Sequence, residues 1–233
     1  MRKIKVLVVD DERAARKEIG RLLENYPEFE VLGEAANADE AKDLIEAISP
    51  DVLFLDIQMP GKSGFELLES LIRVPLVVFT TAYDQYAVKA FEVSALDYLM
   101  KPIREERFAR AIMQLKSRIN LSVHDERVFV KDRGRYHSIS WQHVHLITSM
   151  DNYSRLYFED KNVFLKSSLN QLEARLNPAV FFRINRAQMI NLSYIEKINT
   201  APKGRILISL TTGDNLEVSH RRSVRFKNLQ QIS

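Results

Sequence analysis

Five side chains, widely separated along the chain, have the types needed to handle a phosphoryl group: Asp10, Asp11, Asp56, Thr80 and Lys101. Carboxylates crowded into one pocket raise each other's pKa unless a cation sits among them. An all-oxygen set of few ligands suits Mg²⁺, which keeps several waters and also accepts phosphate oxygens. A threonine hydroxyl can donate to a phosphoryl oxygen, and a lysine ammonium neutralises its charge. Asp56 would then be a carboxylate nucleophile forming an aspartyl phosphate. Each residue alone is an unremarkable strand-end acid, hydroxyl or surface cation. Their shared position at the ends of apolar runs is what gives the set its meaning.

Those runs define the elements that must position the five. Val52-Leu53-Phe54-Leu55 leads straight into Asp56 and then into a Pro60-Gly61 turn, the pattern of a strand buried on both faces. Ile4 to Val9 runs into Asp10-Asp11, Leu76 to Phe79 into Thr80, and Ala95 to Met100 into Lys101-Pro102. A further strand is expected from Phe29 to Gly33. Between the strands fall helical spacings: one through Ala14, Ala15, Ile19, Leu22 and Leu23; one opened by Asn37; one from Gly64 to Leu71; one from Asp84 to Val93; and one from Arg104 to about Ile119. Strand–helix alternation predicts an α/β doubly wound, five-stranded parallel sheet, whose strand carboxyl ends gather the five residues on one rim.

Composition narrows the classes. The chain has 233 residues, 45% of them hydrophobic, and no cysteine, so a disulfide framework and a thiol nucleophile are excluded and a cytoplasmic location is expected. No apolar stretch is long enough to cross a bilayer, so no membrane partner is expected. The net charge of +3 is unevenly spread: residues 1–119 carry 17 Lys and Arg against 21 Asp and Glu, and residues 120–233 carry 17 against 10. An acidic half joined to a basic half points to two domains, the second with a polyanionic partner.

Apolar periodicity is lost near residues 120–126, which are assigned as a linker between a domain at 1–119 and one at 127–233. Beyond it the pattern shifts to period 2, giving a mostly-β domain with strands expected at 127–131, 136–140, 144–148, 195–199 and 205–210, and a hairpin of 154–159 with 162–166 around Asp160-Lys161. Helices are expected at 168–176 and 219–229. His137, His143 and His145 do not have metal-ligand spacing, and there is no helix-turn-helix pattern. Arg221, Arg222, Arg225 and Lys227 form one basic cluster, and Arg183 with Arg186 a smaller one.

With Asp10-Asp11, Asp56 followed by Met59-Pro60-Gly61, Thr80-Thr81-Ala82, and Tyr98-Leu99-Met100-Lys101-Pro102, residues 1–119 resemble a response-regulator receiver domain, a flavodoxin-like fold. The resemblance implies that Asp56 accepts phosphate from a cognate histidine kinase. It also implies that Asp10, Asp11, Asp56 and the main-chain carbonyl of Gln58 hold Mg²⁺, that Thr80 and Tyr98 form a switch pair, and that the Lys101–Pro102 bond is cis. The segment Tyr83 to Val93 is then a candidate face for a homodimer formed on phosphorylation. Residues 127–233 resemble a LytTR-type DNA-binding domain through Asp151-Asn152-Tyr153-Ser154-Arg155, Phe182-Arg183-Ile184-Asn185-Arg186 with Ile190 to Ile195, and Val218-Ser219-His220-Arg221-Arg222. That likeness implies DNA contacts from Tyr153, Ser154, Arg155, Asn185, Arg186, Arg221 and Arg222, on repeated half-sites. Asn185-Arg186-Ala187 stands where the family usually has His-Arg-Ser. The whole chain is identified as resembling LytR/AlgR-type two-component transcription regulators. Two other readings compete: a phosphohydrolase with an aspartyl-phosphate intermediate, which usually carries Asp-x-Asp after its first strand, and a protein- or RNA-binding module, for which Tyr136, Tyr153, Tyr157 and Phe158 are too scattered.

Overall fold

The computed structural model describes residues 2–82, 97–121, 126–132 and 135–230. The helix expected at 84–93, the candidate dimer face at 83–93 and most of the linker lie outside the described residues. Two compact units are present, Met1–Ser138 and Ile139–Ser233.

In the first unit, five strands, β1 (Ile4–Val9), β2 (Phe29–Ala35), β3 (Val52–Asp56), β4 (Leu76–Thr81) and β5 (Asp97–Met100), form one sheet in the order β2-β1-β3-β4-β5. Neighbouring strands in it run parallel. Strand β3 is buried along its whole length, and its period-2 alternation sorts its side chains between two cores. Leu53 and Leu55 join α2 (Ala38–Ile48) and α3 (Gly64–Glu69), through Ala41, Ile45, Phe65 and Leu68. Val52 and Phe54 join α1 (Arg13–Leu23) and α4 (Glu105–Leu121), through Ile19, Leu22, Phe108 and Ile112. Phe54 stacks on Phe108 with ring centroids 5.5 Å apart. Burying each such side chain stabilises the fold by about 1.5–3 kcal/mol.

Local signals start the helices where the sequence indicates. The Asn37 side chain caps α2 by accepting from Glu40 N. Ser63 and Glu66 form a reciprocal capping box on α3. The turn ahead of α3 needs Gly61, at φ +82°. Gly64 then lies so close to the strand that an added Cβ would sit 2.3 Å from the Asp56 carbonyl oxygen. The Lys101–Pro102 bond is cis, as expected.

The two-stranded β6 (Arg127–Asp132) and β7 (Arg135–Ser140) sheet begins where the second domain is expected to begin. By packing, however, residues 127–138 go with the first unit. The cause is aromatic: Phe129 is buried in the core that holds Phe65, and Tyr136 packs against it.

The second unit is mostly strands. A five-stranded antiparallel sheet has the order β10-β9-β8-β12-β11, from β8 (Val144–Met150), β9 (Tyr153–Phe158), β10 (Lys161–Leu165), β11 (Phe181–Arg183) and β12 (Gln188–Asn191). A second sheet is β13 (Ile195–Ala201), β14 (Arg205–Leu210) and β15 (Asn215–Val218). Helices α5 (Leu169–Arg175) and α6 (His220–Gln230) complete it. Lys161 pairs with Phe158, so the β9–β10 turn is Glu159-Asp160, one residue earlier than the sequence suggests, with Glu159 at φ +48°. Phe182, Ile184, Ile206, Ile208, Val218 and Phe226 share one core.

Gly64→Ala should cost about 2–4 kcal/mol in denaturant unfolding, because the clash is with backbone and cannot be relieved by a rotamer change. A loss below about 1 kcal/mol would mean that α3 can slide away from Asp56 freely.

Candidate functional site

Strand order and register bring four strand ends to one rim. Asp10 follows β1, Asp56 ends β3 and pairs in register with Thr80 of β4, and Lys101 follows β5. Lys101 is held there by its own N–H donating to the Thr81 carbonyl at 2.8 Å. Since β1 and β3 are neighbours although β2 intervenes in sequence, the crevice lies at the point where the strand order reverses.

Asp10 is fully buried and Asp56 is 5% exposed, whereas Asp11 is exposed. One carboxylate oxygen from each of the three lies within 4.8 Å of the others. The Lys101 ammonium bridges the buried pair: it donates to Asp56 Oδ2 at 2.7 Å and lies 2.8 Å from Asp10 Oδ2, with Glu12 Oε2 at 3.9 Å. The Lys101–Asp10 contact is a close ion pair. The remaining oxygens accept backbone N–H groups, Asp10 Oδ1 from Glu12 and Asp56 Oδ1 from Gln58, each at 3.0 Å. Burial pushes the Asp10 carboxyl above its ordinary pKa; Lys101 opposes this and the Asp56 charge adds to it. Burial draws the Lys101 ammonium down, but its contacts with Asp10 and Asp56 outweigh that, and its pKa is raised. The Thr80 hydroxyl is buried and has no hydrogen-bond partner among the described residues. Such an orphan is costly unless a ligand oxygen meets it.

This donor set fits Mg²⁺: hard oxygens, close together, one of them solvent-facing. Gln58 is exposed beside Asp56, and Tyr98 is partly buried against the core of the α2–α3 side. Sequence reasoning missed Arg16. Its guanidinium donates to the carbonyls of Asp10 at 2.7 Å and Asp11 at 3.3 Å and to Glu34 Oε2 at 3.0 Å, so it fixes the acidic loop. Nothing in its spacing distinguishes Arg16 from a surface cation on a helix.

In the second unit, three segments expected to contact DNA come together at one end of the sheet. Met150 pairs with Tyr153 across the β8–β9 turn, and Ser149 N donates to Ala187 O at 2.7 Å. Ser219 N donates to Ile184 O at 2.9 Å, and Asn185 Nδ2 to Glu217 O at 3.3 Å. The individual side chains differ in availability. Tyr153 (45% exposed), Arg186 and Arg221 are open. Asn185 is half-buried and braces its loop by accepting from Ala187 N and donating to Gln188 Oε1. Arg155 donates to Asn162 Oδ1 at 2.8 Å, with its guanidinium 5.4 Å from the Tyr157 ring centroid and 5.3 Å from that of Phe164. Ser154 is fully buried and its hydroxyl donates to Ser167 O at 2.7 Å. Arg222 is turned inward onto Glu173 with contacts of 2.6 and 3.2 Å, and Arg183 reaches the same carboxylate at 3.0 Å. Ser154 and Arg222 therefore hold the domain's own structure together.

The chain is similar in sequence to known proteins. Residues 6–113 match the family described as response regulator receiver domain, and residues 134–231 match the LytTr DNA-binding domain. The sensory transduction protein LytT of Enterococcus faecalis is 30% identical over 98% of this chain and 99% of its own. The transcriptional regulatory protein BtsR of Salmonella typhi is 36% identical over 94% and 95%. Among solved structures, the response regulatory domain of mrkE from Klebsiella pneumoniae is 30% identical, covering 51% of this chain and 99% of its own, with a TM-score of 0.47. The chain belongs to the two-component response regulators that join a receiver domain to a LytTR DNA-binding domain, and is a transcriptional regulator, not an enzyme. The LytTR domain implies DNA as a partner, and the receiver a histidine kinase.

Burial raises the Glu173 carboxyl, but its bonds to Arg222 and Arg183 outweigh that and hold it below its usual 4.5. An acid depressed on folding stabilises the native state fully above its unfolded pKa and loses that contribution as pH falls through the folded value. Glu173→Gln should thus cost roughly 2–3 kcal/mol at pH 7, and the difference from wild type should shrink as unfolding is measured at progressively lower pH below 4.5.

Proposed function

We propose that Asp56 is the phosphoacceptor and that its modification strengthens DNA binding by the C-terminal domain. A carboxylate oxygen of Asp56 attacks the phosphorus of a phosphohistidine on the kinase. The P–N bond breaks and the imidazole leaves with the electron pair. Asp10, Asp11, Asp56 and the Gln58 carbonyl would hold Mg²⁺, which supplies charge neutralisation for the transferring group. Lys101 pairs with the new phosphoryl oxygens instead of the free carboxylate. The Thr80 hydroxyl turns to donate to one of them, and Tyr98 follows into the space it leaves.

The carrying observation is the pairing of Lys101 between Asp10 and Asp56 beside a buried Thr80 hydroxyl that has no partner among the described residues. An ammonium already in place for an anion and a buried hydroxyl are the groups an incoming phosphoryl would satisfy. In the second domain, Tyr153, Arg155, Asn185, Arg186 and Arg221 are the proposed DNA contacts, with Arg225 one helical turn beyond Arg221 on the same side of α6. Exposed arginines supply phosphate affinity, and the loop side chains read base edges. Phosphorylation would favour a homodimer, so that two readers engage repeated half-sites and the second binds at high effective concentration.

The test is DNA affinity at fixed salt, with Mg²⁺ and with or without acetyl phosphate as donor. Wild type should gain roughly tenfold with donor, within the range usual for coupled sites, and Asp56→Ala should gain nothing. Equal affinities for the donor-treated wild type and Asp56→Ala would remove the switch.

A further inference from the structure

Two of the segments proposed to read DNA, the Asn185-Arg186 loop and the start of α6, share one counter-ion. Glu173 of α5 accepts from Arg222 through both carboxylate oxygens, Oε1 at 2.6 Å and Oε2 at 3.2 Å, and Oε2 also accepts from Arg183 at 3.0 Å. A two-pronged arginine–carboxylate pair fixes direction as well as distance. The three side chains are largely out of solvent, that of Arg183 being 12% exposed.

Each arginine acts on a different segment. Arg183 Nε donates to Asn185 O at 3.1 Å and Nη2 to Arg186 O at 2.8 Å, while Nη1 meets Asn170 Oδ1 as well as Glu173. Every nitrogen of this guanidinium is committed, two of them to the backbone of the reading loop. Arg222 lies in the first turn of α6, and four residues on Phe226 is buried, its ring 5.2 Å from that of Phe182. Residues four apart share a helix face, so Arg222 and Phe226 together set the rotation of α6. Arg221 and Arg225, also four apart, are thereby left exposed.

Charge makes the arrangement more than a brace. Helix α6 contains no acid of its own. Released from Glu173, Arg222 would be one more surface cation beside Arg221 and Arg225, open to any phosphate. Attraction between arginine and phosphate is blind to sequence. Held on Glu173, Arg222 adds nothing to that background, and Arg186 and Arg221 are presented from anchored backbone.

We propose that Glu173 is a specificity-determining positioning residue: it fixes the Asn185-Arg186 loop relative to Arg221 and withholds Arg183 and Arg222 from non-specific DNA. The proposal rests on the DNA contacts assigned above, Arg186 and Arg221 among them.

The test uses the full chain, with Mg²⁺ and acetyl phosphate held fixed, and two duplexes of equal length: one enriched from a random pool by wild type, one of random sequence. Glu173→Gln keeps the shape and removes the charge. The ratio of its affinities for the enriched and the random duplex should fall about tenfold or more below that of wild type. Its salt slope on the random duplex should steepen by about 0.9, the worth of one added phosphate contact. Loss of stability does not imitate this result, because an unfolded fraction lowers both affinities by the same factor and leaves their ratio unchanged. Arg222→Gln should weaken binding to the enriched duplex with the random-duplex slope as in wild type. An unchanged ratio in Glu173→Gln overturns the proposal, and so does a slope in Arg222→Gln that is shallower by about one contact, since Arg222 would then touch phosphate itself. Arg186→Ala and Arg221→Ala test the assigned contacts separately, each being expected to make the slope shallower. Unchanged slopes in both, with the Glu173→Gln ratio collapsed, remove those two contacts and keep Glu173 as a residue that sets specificity.

Discussion

A single ammonium between two buried carboxylates is the constraint around which the first unit is arranged. Removing two acids from water is expensive, and one left without its counter-charge would be strongly destabilising. Lys101 meets both Asp10 and Asp56, and it can do so only because β1 and β3 are adjacent and β5 lies one strand beyond β4. The strand order, the tight approach of Gly64 to the Asp56 carbonyl and the Arg16 brace on the acidic loop all serve that meeting. The arrangement stores a charge imbalance in the sense that three acids face one lysine, which is why the same pocket is hospitable to a divalent cation.

Much of the first unit was legible in the sequence because burial on both faces of a parallel sheet leaves an unbroken apolar run, and each run ends in the residue that matters. The four rim positions follow from topology alone. Arg16 and Glu12 were not legible, since their reach towards the site depends on how α1 is rotated, which periodicity does not specify. The seat of β6–β7 on α3 was equally hidden. Phe129 and Tyr136 lie on strands that the sequence assigns to the second domain, and nothing local says which core they enter.

The second unit was read less completely, for reasons that can be traced to particular residues. Alternation in β9 sends Tyr153, Arg155 and Tyr157 to one face and Ser154, Leu156 and Phe158 to the other. The family pattern nevertheless groups Tyr153, Ser154 and Arg155 as neighbours in function. β15 escaped notice because Asn215 to Val218 is too short and too polar to stand out. The basic clusters also overstate the free positive charge: Arg183 and Arg222 converge on Glu173, so part of the cationic composition is internal mortar.

Arg155 shows a further consequence of the fold. Its guanidinium lies near the Tyr157 and Phe164 rings and is tied to Asn162 before any partner arrives. Ordering a long flexible side chain at an interface ordinarily costs about 0.5–1.5 kcal/mol at the moment of association. Here that loss of freedom has already occurred during folding. A planar, delocalised cation suits such a cradle between π faces in a way that a compact ammonium does not, so the site discriminates between the two basic side chains even though both carry the same charge.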